Sequence, residues 1–205
     1  SWPYKSPTDM GVNMAGNCIY DDEVCQNASK QEIIRRYYSS LNRLAKGECK
    51  SEEVYKIELL MKQAKISTEL RKVVSAALLR AETTESPAAA IELPDKSIVT
   101  AKTSDLLGAS AALILNAVKV LGNIDDSIHL ISPTVIEPVQ KLKTNYLGSS
   151  NPRLHTDEIL IALSMCAASD DTAQLALEQL PKLRGCQVHT SVMLILRFLI
   201  SWEYS

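Results

Sequence analysis

Residues 90–100 have the sequence AIELPDKSIVT, in which two short apolar runs flank a central Pro-Asp-Lys. Runs of this kind on either side of a turn sequence predict a β-hairpin. The segment that follows, residues 105–121, is apolar almost throughout, and its only charged side chains are Asp105 and Lys119. A helix with so few polar positions has to be covered on most of its surface. The hairpin and this helix together predict helices layered on a sheet.

The sequence beyond this helix continues the alternation of strands and helices. We predict a strand at 129–132 and a helix that Pro138 interrupts before it reaches about Tyr146. Apolar periodicity then predicts a helix from Thr156 to Ala167, a helix capped by Asp170 or Asp171 that runs to Gly185, and a strand at 186–194. This part of the chain, residues 87–205, is therefore predicted to be an α/β layered subdomain.

The sequence before the hairpin has helical periodicity instead. A capping box of Ser29 and Glu32 predicts a first helix that ends at Gly47. A second helix is predicted after Ser51 and a third over 68–82, which suggests a small antiparallel bundle. We place the boundary near Ser86, so residues 1–86 comprise an irregular opening loop and a three-helix bundle. The predicted fold class is mixed α and α/β.

Composition narrows the classes of protein to consider. The chain has 205 residues, 46% hydrophobic, and a net charge of -2, which is typical of a globular protein and argues against a nucleic-acid binder. The apolar run at 192–200 is far shorter than the roughly 20 residues of a membrane span. Five scattered cysteines without a CxxC pair predict a reducing, cytoplasmic environment and no metal site.

The first candidate site is the segment from Lys102 to Gly108, which joins the hairpin to the apolar helix. Lys102, with the hydroxyls of Thr103 and Ser104 and the free amides of a helix start, could bind a phosphate or carboxylate. The alternative is that Thr103 or Ser104 merely caps the helix, with Asp105 complementing its dipole. The Walker order GxxxxGK[ST] is missing, so the sequence leaves both interpretations open.

Two further candidates lie in loops. Thr8, Asp9 and Asn13 belong to an opening loop in which polar residues alternate with apolar ones, so it is either an ordered functional loop or a linker. Arg153 and His155 stand just before a predicted helix, where they could bind an anion or instead hydrogen-bond a structural turn. His129 and His189 fall in predicted strands, and we expect them to be partly buried.

Several segments resemble one family of uncharacterised bacterial proteins, known as UPF0371 or DUF1846. They are KSPTDMGVNMAG at 5–16, ASKQEIIRRYY at 28–38, TSDLLGA at 103–109, LHTDE at 154–158 and ALEQLPKLRGC at 176–186. The resemblance implies a helical subdomain followed by an α/β subdomain with cytidine-deaminase-like topology. It also implies a chain similar to the C-terminal half of proteins about twice as long, packed on a missing N-terminal half. The family offers no established activity or cofactor to transfer.

The resemblance ends at the C-terminus. The family continues with a polar, acidic stretch after Val192, whereas this chain has MLILRFLISWEYS at 193–205. We interpret this ending as a non-native tail produced by a slip of the reading frame.

Two functions from different classes follow. The first is binding of, or catalysis on, a small anionic or phosphorylated metabolite where the opening loop, Lys102–Gly108 and Arg153–Thr156 converge. The alternative is a non-catalytic assembly module, with the helical bundle as the interface of a homo-oligomer. The zinc deaminase motifs HxE and PCxxC are missing from the sequence. Whether the protein is an enzyme, and which cofactor it would use, are left open.

Overall fold

The structure, a computed structural model, describes residues 22–192. It combines helices with one small antiparallel sheet. The helices and strands are α1 Asp22–Ala45, α2 Ser51–Gln63, α3 Lys72–Thr84, β1 Ala88–Glu92, β2 Ile98–Lys102, α4 Ala109–Leu121, α5 Pro133–Lys141, α6 Thr156–Ala167, α7 Asp171–Leu177 and β3 Gln187–Thr190. Short 3-10 turns at Thr68–Leu70 and Leu180–Leu183, and a π-helical turn at Leu142–Tyr146, complete the described elements.

The chain forms two compact units that divide between Arg71 and Lys72. In the first unit, α1 and α2 pack through a cluster centred on Ile34, Met61 and Ile66. Helix α1 begins before the predicted capping box, and the Ser29 hydroxyl donates to the carbonyl of Cys25 inside the helix instead of capping it. The predicted end near Gly47 is confirmed, since this glycine adopts the left-handed φ of 73°.

Helix α3 belongs to the second unit, whereas the sequence placed it in a bundle with a boundary near Ser86. Its buried Val73 and Ala77 form a cluster with Ala90 of β1. Small and β-branched side chains let a helix approach a strand closely, and the same amphipathic pattern suits a sheet as well as another helix. Amphipathicity alone therefore did not specify the surface on which α3 packs.

The sheet of the second unit has the strand order β2-β1-β3, with both neighbours antiparallel to β1. The hairpin is confirmed, and Ala90 pairs with Thr100 across it. Residues 88–91 of the central strand are all buried, because each face of the sheet is covered. Ala90 contributes to the α3 cluster, while Ala89 and Ile91 contribute to the main core.

The main core lies between the sheet and the helices that follow it. Its fully buried side chains come mostly from α4 and α6 and from the segment between them, and they include Ala117, Val118, Leu154, Ile159 and Leu163. Helix α6 has the predicted bounds, and Asp170 caps α7 by accepting from the amides of Thr172 and Ala173.

Several predicted elements differ from those of the structure. Pro138 lies inside α5 without interrupting it, and α3 begins at Lys72, after a 3-10 turn at Thr68–Leu70. Residues 129–132 form no strand, although Leu130 and Ile131 are buried, so their apolar character reflects core packing of an irregular segment. Helix α4 begins at Ala109 instead of Asp105. Helix α7 ends at Leu177, and a separate 3-10 turn with Pro181 near its start covers the rest of the predicted length.

None of the helices described between residues 22 and 192 combines the length and the apolar character that crossing a bilayer requires.

Candidate functional site

Two segments that are distant in sequence lie side by side in the second unit. Leu107 and Leu154 form a parallel β-bridge. The amide of Gly108 donates to the carbonyl of Leu154 at 3.1 Å, and the amide of Leu154 donates to the carbonyl of Leu106 at 2.8 Å. These main-chain bonds join the end of the Lys102–Gly108 segment to the turn before α6.

The Lys102–Gly108 segment is a turn held by its own main chain. The amide of Thr103 donates to the carbonyl of Pro87 at 2.7 Å, and that of Ser104 to the carbonyl of Leu107 at 2.9 Å. The Ser104 hydroxyl accepts from the Leu107 amide at 3.1 Å. The residue that caps α4 is Gly108, so the interpretation of Thr103 or Ser104 as the helix cap is wrong.

Arg153 is an exposed residue fixed at three points. Its amide donates to Oδ1 of Asn151 at 3.1 Å, and its carbonyl accepts from Nζ of Lys143 at 2.6 Å. Its Nε donates to the carbonyl of Ser104 at 2.7 Å. The two Nη groups form no hydrogen bond or ion pair with the residues that the structure describes. A guanidinium held this way presents a planar pair of donors at a defined place.

A polar cavity of about 400 Å³ lies where the two segments meet. It is lined by residues from the loop between α3 and β1, the end of β2, the following turn and the turn before α6. They are Ser86, Pro87, Lys102, Thr103, Ser104, Asp105 and Arg153. The side chains of Lys102 and Asp105 form no bond or ion pair with other residues of 22–192. The cavity thus combines two cationic groups, one carboxylate and three hydroxyls.

A partly buried ion pair between Lys143 and Glu158 is bonded to the turn before α6. Lys143 is only 8% exposed, and its Nζ donates to Oε2 of Glu158 at 2.9 Å as well as to the Arg153 carbonyl. The same carboxylate oxygen accepts from the amide of His155 at 2.7 Å. Lys143 lies in the π-helical turn that follows α5. The Lys143 ammonium therefore binds the Arg153 carbonyl, and the Glu158 carboxylate binds the His155 amide, so the pair restrains the turn before α6 at two main-chain groups.

The structure brings four of the predicted site residues, Lys102, Thr103, Ser104 and Arg153, to one cavity. His155 is exposed and is the N-cap residue of α6, outside the residues that line the cavity. Thr8, Asp9 and Asn13 lie outside the described residues. The expectation for His129 is wrong, because it is exposed in an irregular segment. His189 lies in β3, partly buried as expected.

A second, smaller cavity of about 180 Å³ is lined by Leu106 and Leu107 of the same turn, by α4 and by the segment before α5. Its lining is mainly leucine and isoleucine. Lys119 at this cavity donates to the carbonyl of Asp126, and Asn116 donates to the carbonyl of Thr100, so both side chains are used structurally.

Among residues 22–192 no three His, Cys, Asp or Glu side chains are grouped closely enough to hold a metal ion.

The sequence interpretation missed the contribution of Ser86, Asp105 and Lys143 to this region. Ser86 reads only as punctuation between subdomains, and Asp105 only as a helix-start charge. Lys143 gives no signal, because a single lysine in a sequence of this kind is ordinarily exposed. Its burial depends on the π-helical turn, which sequence periodicity does not reveal.

The fold and the cavity define a protein with a helical first unit and a second unit of helices on a small antiparallel sheet. The chain belongs to the DUF1846 family. The sequence model described as "Domain of unknown function DUF1846, C-terminal" matches residues 69–197, and the N-terminal one matches residues 1–65.

The chain is similar to curated UPF0371 proteins from two bacterial genera. It is 57% identical to one from Corynebacterium diphtheriae and 50% identical to one from Streptococcus uberis, each over 94% of this chain and 39% of the relative. The UPF0371 protein of Corynebacterium efficiens is 56% identical over 95% of this chain. The chain therefore spans about 39% of the length of these relatives.

Proposed function

We propose that the polar cavity beside Arg153 binds a small anionic ligand, such as a phosphorylated metabolite. The observation that carries this proposal is the hydrogen bond from Arg153 Nε to the Ser104 carbonyl, which holds the guanidinium against the turn that carries Lys102. Two cations at one concave surface attract an anion, and guanidinium groups bind phosphate and carboxylate oxygens through paired donors. A volume of about 400 Å³ is within the usual range for small-molecule sites.

The hydroxyls and the carboxylate refine the expected ligand. Thr103 and Ser104 supply donors and acceptors for a neutral polar group, and Asp105 accepts from a hydroxyl or an amine. A bare anion meets the charge of Asp105 unfavourably, whereas a sugar phosphate offers both an anionic group and hydroxyl donors. This combination favours a polyol phosphate over inorganic phosphate. The predicted participation of Thr8, Asp9 and Asn13 is kept as part of the proposal.

The test is isothermal titration calorimetry with inorganic phosphate and with glucose 6-phosphate, on the chain as it stands. Wild-type binding that Lys102→Ala and Arg153→Ala both abolish supports the site. Matched controls are Lys72→Ala and Arg184→Ala, exposed cations of the same unit outside the cavity, and both should leave binding unchanged. Wild-type protein that binds neither compound, or variants that bind as well as wild type, would overturn the proposal.

A second function is favoured by a different observation in the first unit. Tyr55 and Leu59, one turn apart on α2, are 64% and 43% exposed, and Leu60 beside them is 46% exposed. An apolar helix face of this kind suits self-association or docking on another part of the full-length protein. A non-catalytic assembly role predicts that Tyr55→Glu alters the oligomeric state seen in sedimentation while leaving phosphate binding intact.

The wider setting of the chain is also a proposal. The cysteines support a cytoplasmic location, and the resemblance supports a cytidine-deaminase-like topology and packing on a preceding half of the protein. The short coverage of its relatives is in keeping with a fragment of a longer protein. Whether the cavity serves catalysis depends on groups that such a half would add.

A further inference from the structure

Lys143 is placed unusually for a lysine. It is 8% exposed, and lysines are seldom buried unless their charge is paired. Its ammonium makes two short bonds, to the Arg153 carbonyl at 2.6 Å and to Glu158 at 2.9 Å. The Pro138-containing helix α5 leads into the π-helical turn that carries Lys143. Widened turns of this type occur often at functional sites, because they redirect one side chain out of the helical order.

One of the two hydrogen bonds of Lys143 goes to Arg153, whose guanidinium belongs to the cavity. Arg153 is held through its amide by Asn151, through its carbonyl by Lys143 and through Nε by Ser104. Glu158 extends the network by accepting from the His155 amide. An exposed arginine on a free loop would lose much side-chain entropy on binding, whereas this one is already restrained.

We propose that Lys143 is a positioning residue of the anion site, acting on Arg153 through its main-chain carbonyl. Lys143 does not line the cavity, so it holds the guanidinium in place without touching the ligand. Glu158 is its partner, and neutralises the ammonium that makes this bond. The inference rests on the proposed function, since it assigns a role within the same site.

A merely structural ion pair predicts a different result. Removing one partner of a buried pair leaves the other charge uncompensated and lowers the free energy of unfolding. A pair that is only structural therefore changes stability and leaves the ligand affinity of the folded protein unchanged. A positioning role instead requires a donor at the Arg153 carbonyl. Lys143→Met removes that donor while keeping the length of the side chain. Lys143→Arg restores donors to both partners, so it serves as the conservative rescue.

The experiment is calorimetric titration of folded protein with glucose 6-phosphate, with the melting temperature of every variant measured in parallel. We expect Lys143→Met to raise the dissociation constant about fivefold or more, and Lys143→Arg to recover most of the wild-type affinity. The matched control is Lys141→Met, two residues before Lys143. It removes the exposed ion pair of Lys141 with Glu137 and should leave affinity unchanged. If Lys143→Met does not fold, Glu158→Gln tests the same network, because its amide oxygen still accepts from His155, and a rise in the dissociation constant is again expected.

The possible results distinguish failure of the positioning role of Lys143 from failure of the anion site itself. Affinity that is lost in Lys102→Ala but unchanged in Lys143→Met and Glu158→Gln overturns the positioning role and leaves the anion site standing. A lower melting temperature of Lys143→Met with unchanged affinity likewise overturns it, since the pair is then structural. Wild-type protein that binds neither glucose 6-phosphate nor inorganic phosphate overturns the anion site, and the positioning role with it.

Discussion

Nε of Arg153 lies 2.7 Å from the carbonyl oxygen of Ser104, across 49 positions of sequence. The parallel bridge between Leu107 and Leu154 joins the same two segments. The bond uses only Nε, so the two Nη groups keep their donors for another partner. This bond and the main-chain bonds beside it thus join two turns that are distant in the sequence, and the polar cavity lies where the turns meet.

The core beneath this site is expected to dominate the stability of the second unit. Leu163 of α6 is fully buried, whereas Ile161, two residues earlier, is 61% exposed. We predict that Leu163→Ala lowers the free energy of unfolding by about 2–5 kcal/mol, because it removes apolar contacts and leaves a cavity. Ile161→Ala, its control on the same helix, should change it by less than about 0.5 kcal/mol. Urea denaturation followed by circular dichroism measures both, and equal effects would contradict the assigned face of α6.

Removing the charge of Asp105 should strengthen anion binding, whereas removing the charge of Lys102 or Arg153 should weaken it. Asp105→Asn removes a negative charge from the cavity lining, so the dissociation constant for inorganic phosphate should fall about twofold to fivefold. Asp171→Asn, an exposed acid at the start of α7, serves as the control and should have no effect. Titration calorimetry at low salt measures the difference. Weaker phosphate binding by Asp105→Asn would mean that this carboxylate organises the turn instead of facing the ligand.

The titration of Glu32 in α1 tests the first unit. Hydrogen bonds from Arg35, and then from Arg36, lower the pKa of this carboxyl from 4.5 to about 2 despite its partial burial. A carboxyl with a lowered pKa stabilises the folded state above its ordinary pKa. That contribution is lost as the pH falls from about 4.5 through about 2. Because Glu32 is 39% exposed, solvent screening keeps its contribution below about 1 kcal/mol.

Carbon-13 NMR of the Glu32 carboxyl measures this shift directly. We expect a midpoint near pH 2 in the wild type and a clear rise in Arg35→Gln, which removes the hydrogen bond that lowers the pKa most. Addition of 1 M salt should also raise it, since the pair is partly exposed. A midpoint near 4.5 in the wild type would show that the Arg35 and Glu32 side chains are apart in solution.

Some features of the fold and of the candidate site could be predicted from the sequence, and others could not. The hairpin, α6 and the Asp170 cap were predictable, because each depends on local residue types and short-range periodicity. The packing of α3 was not, since an amphipathic helix fits a sheet and a bundle equally well. Lys102 and Arg153 were identified as polar residues near helix starts, but their contact depends on the long-range pairing of Leu107 with Leu154. The role of Lys143 needed the irregular turn that carries it.

The thiol of Cys186, just before β3, gives a test of the electrostatics at the hairpin end of the sheet. Burial, followed by the charge of Glu92, raises the pKa of this thiol, and the charge of Lys96 opposes the rise. Only the thiolate reacts with iodoacetamide, so a raised pKa moves alkylation to higher pH. We predict that Glu92→Gln shifts the alkylation profile to lower pH and that Lys96→Gln shifts it to higher pH. Mass spectrometry of the peptide that contains Cys186, sampled over time at several pH values, gives both profiles. The absence of both shifts would contradict the assignment, because burial alone would then control the thiol.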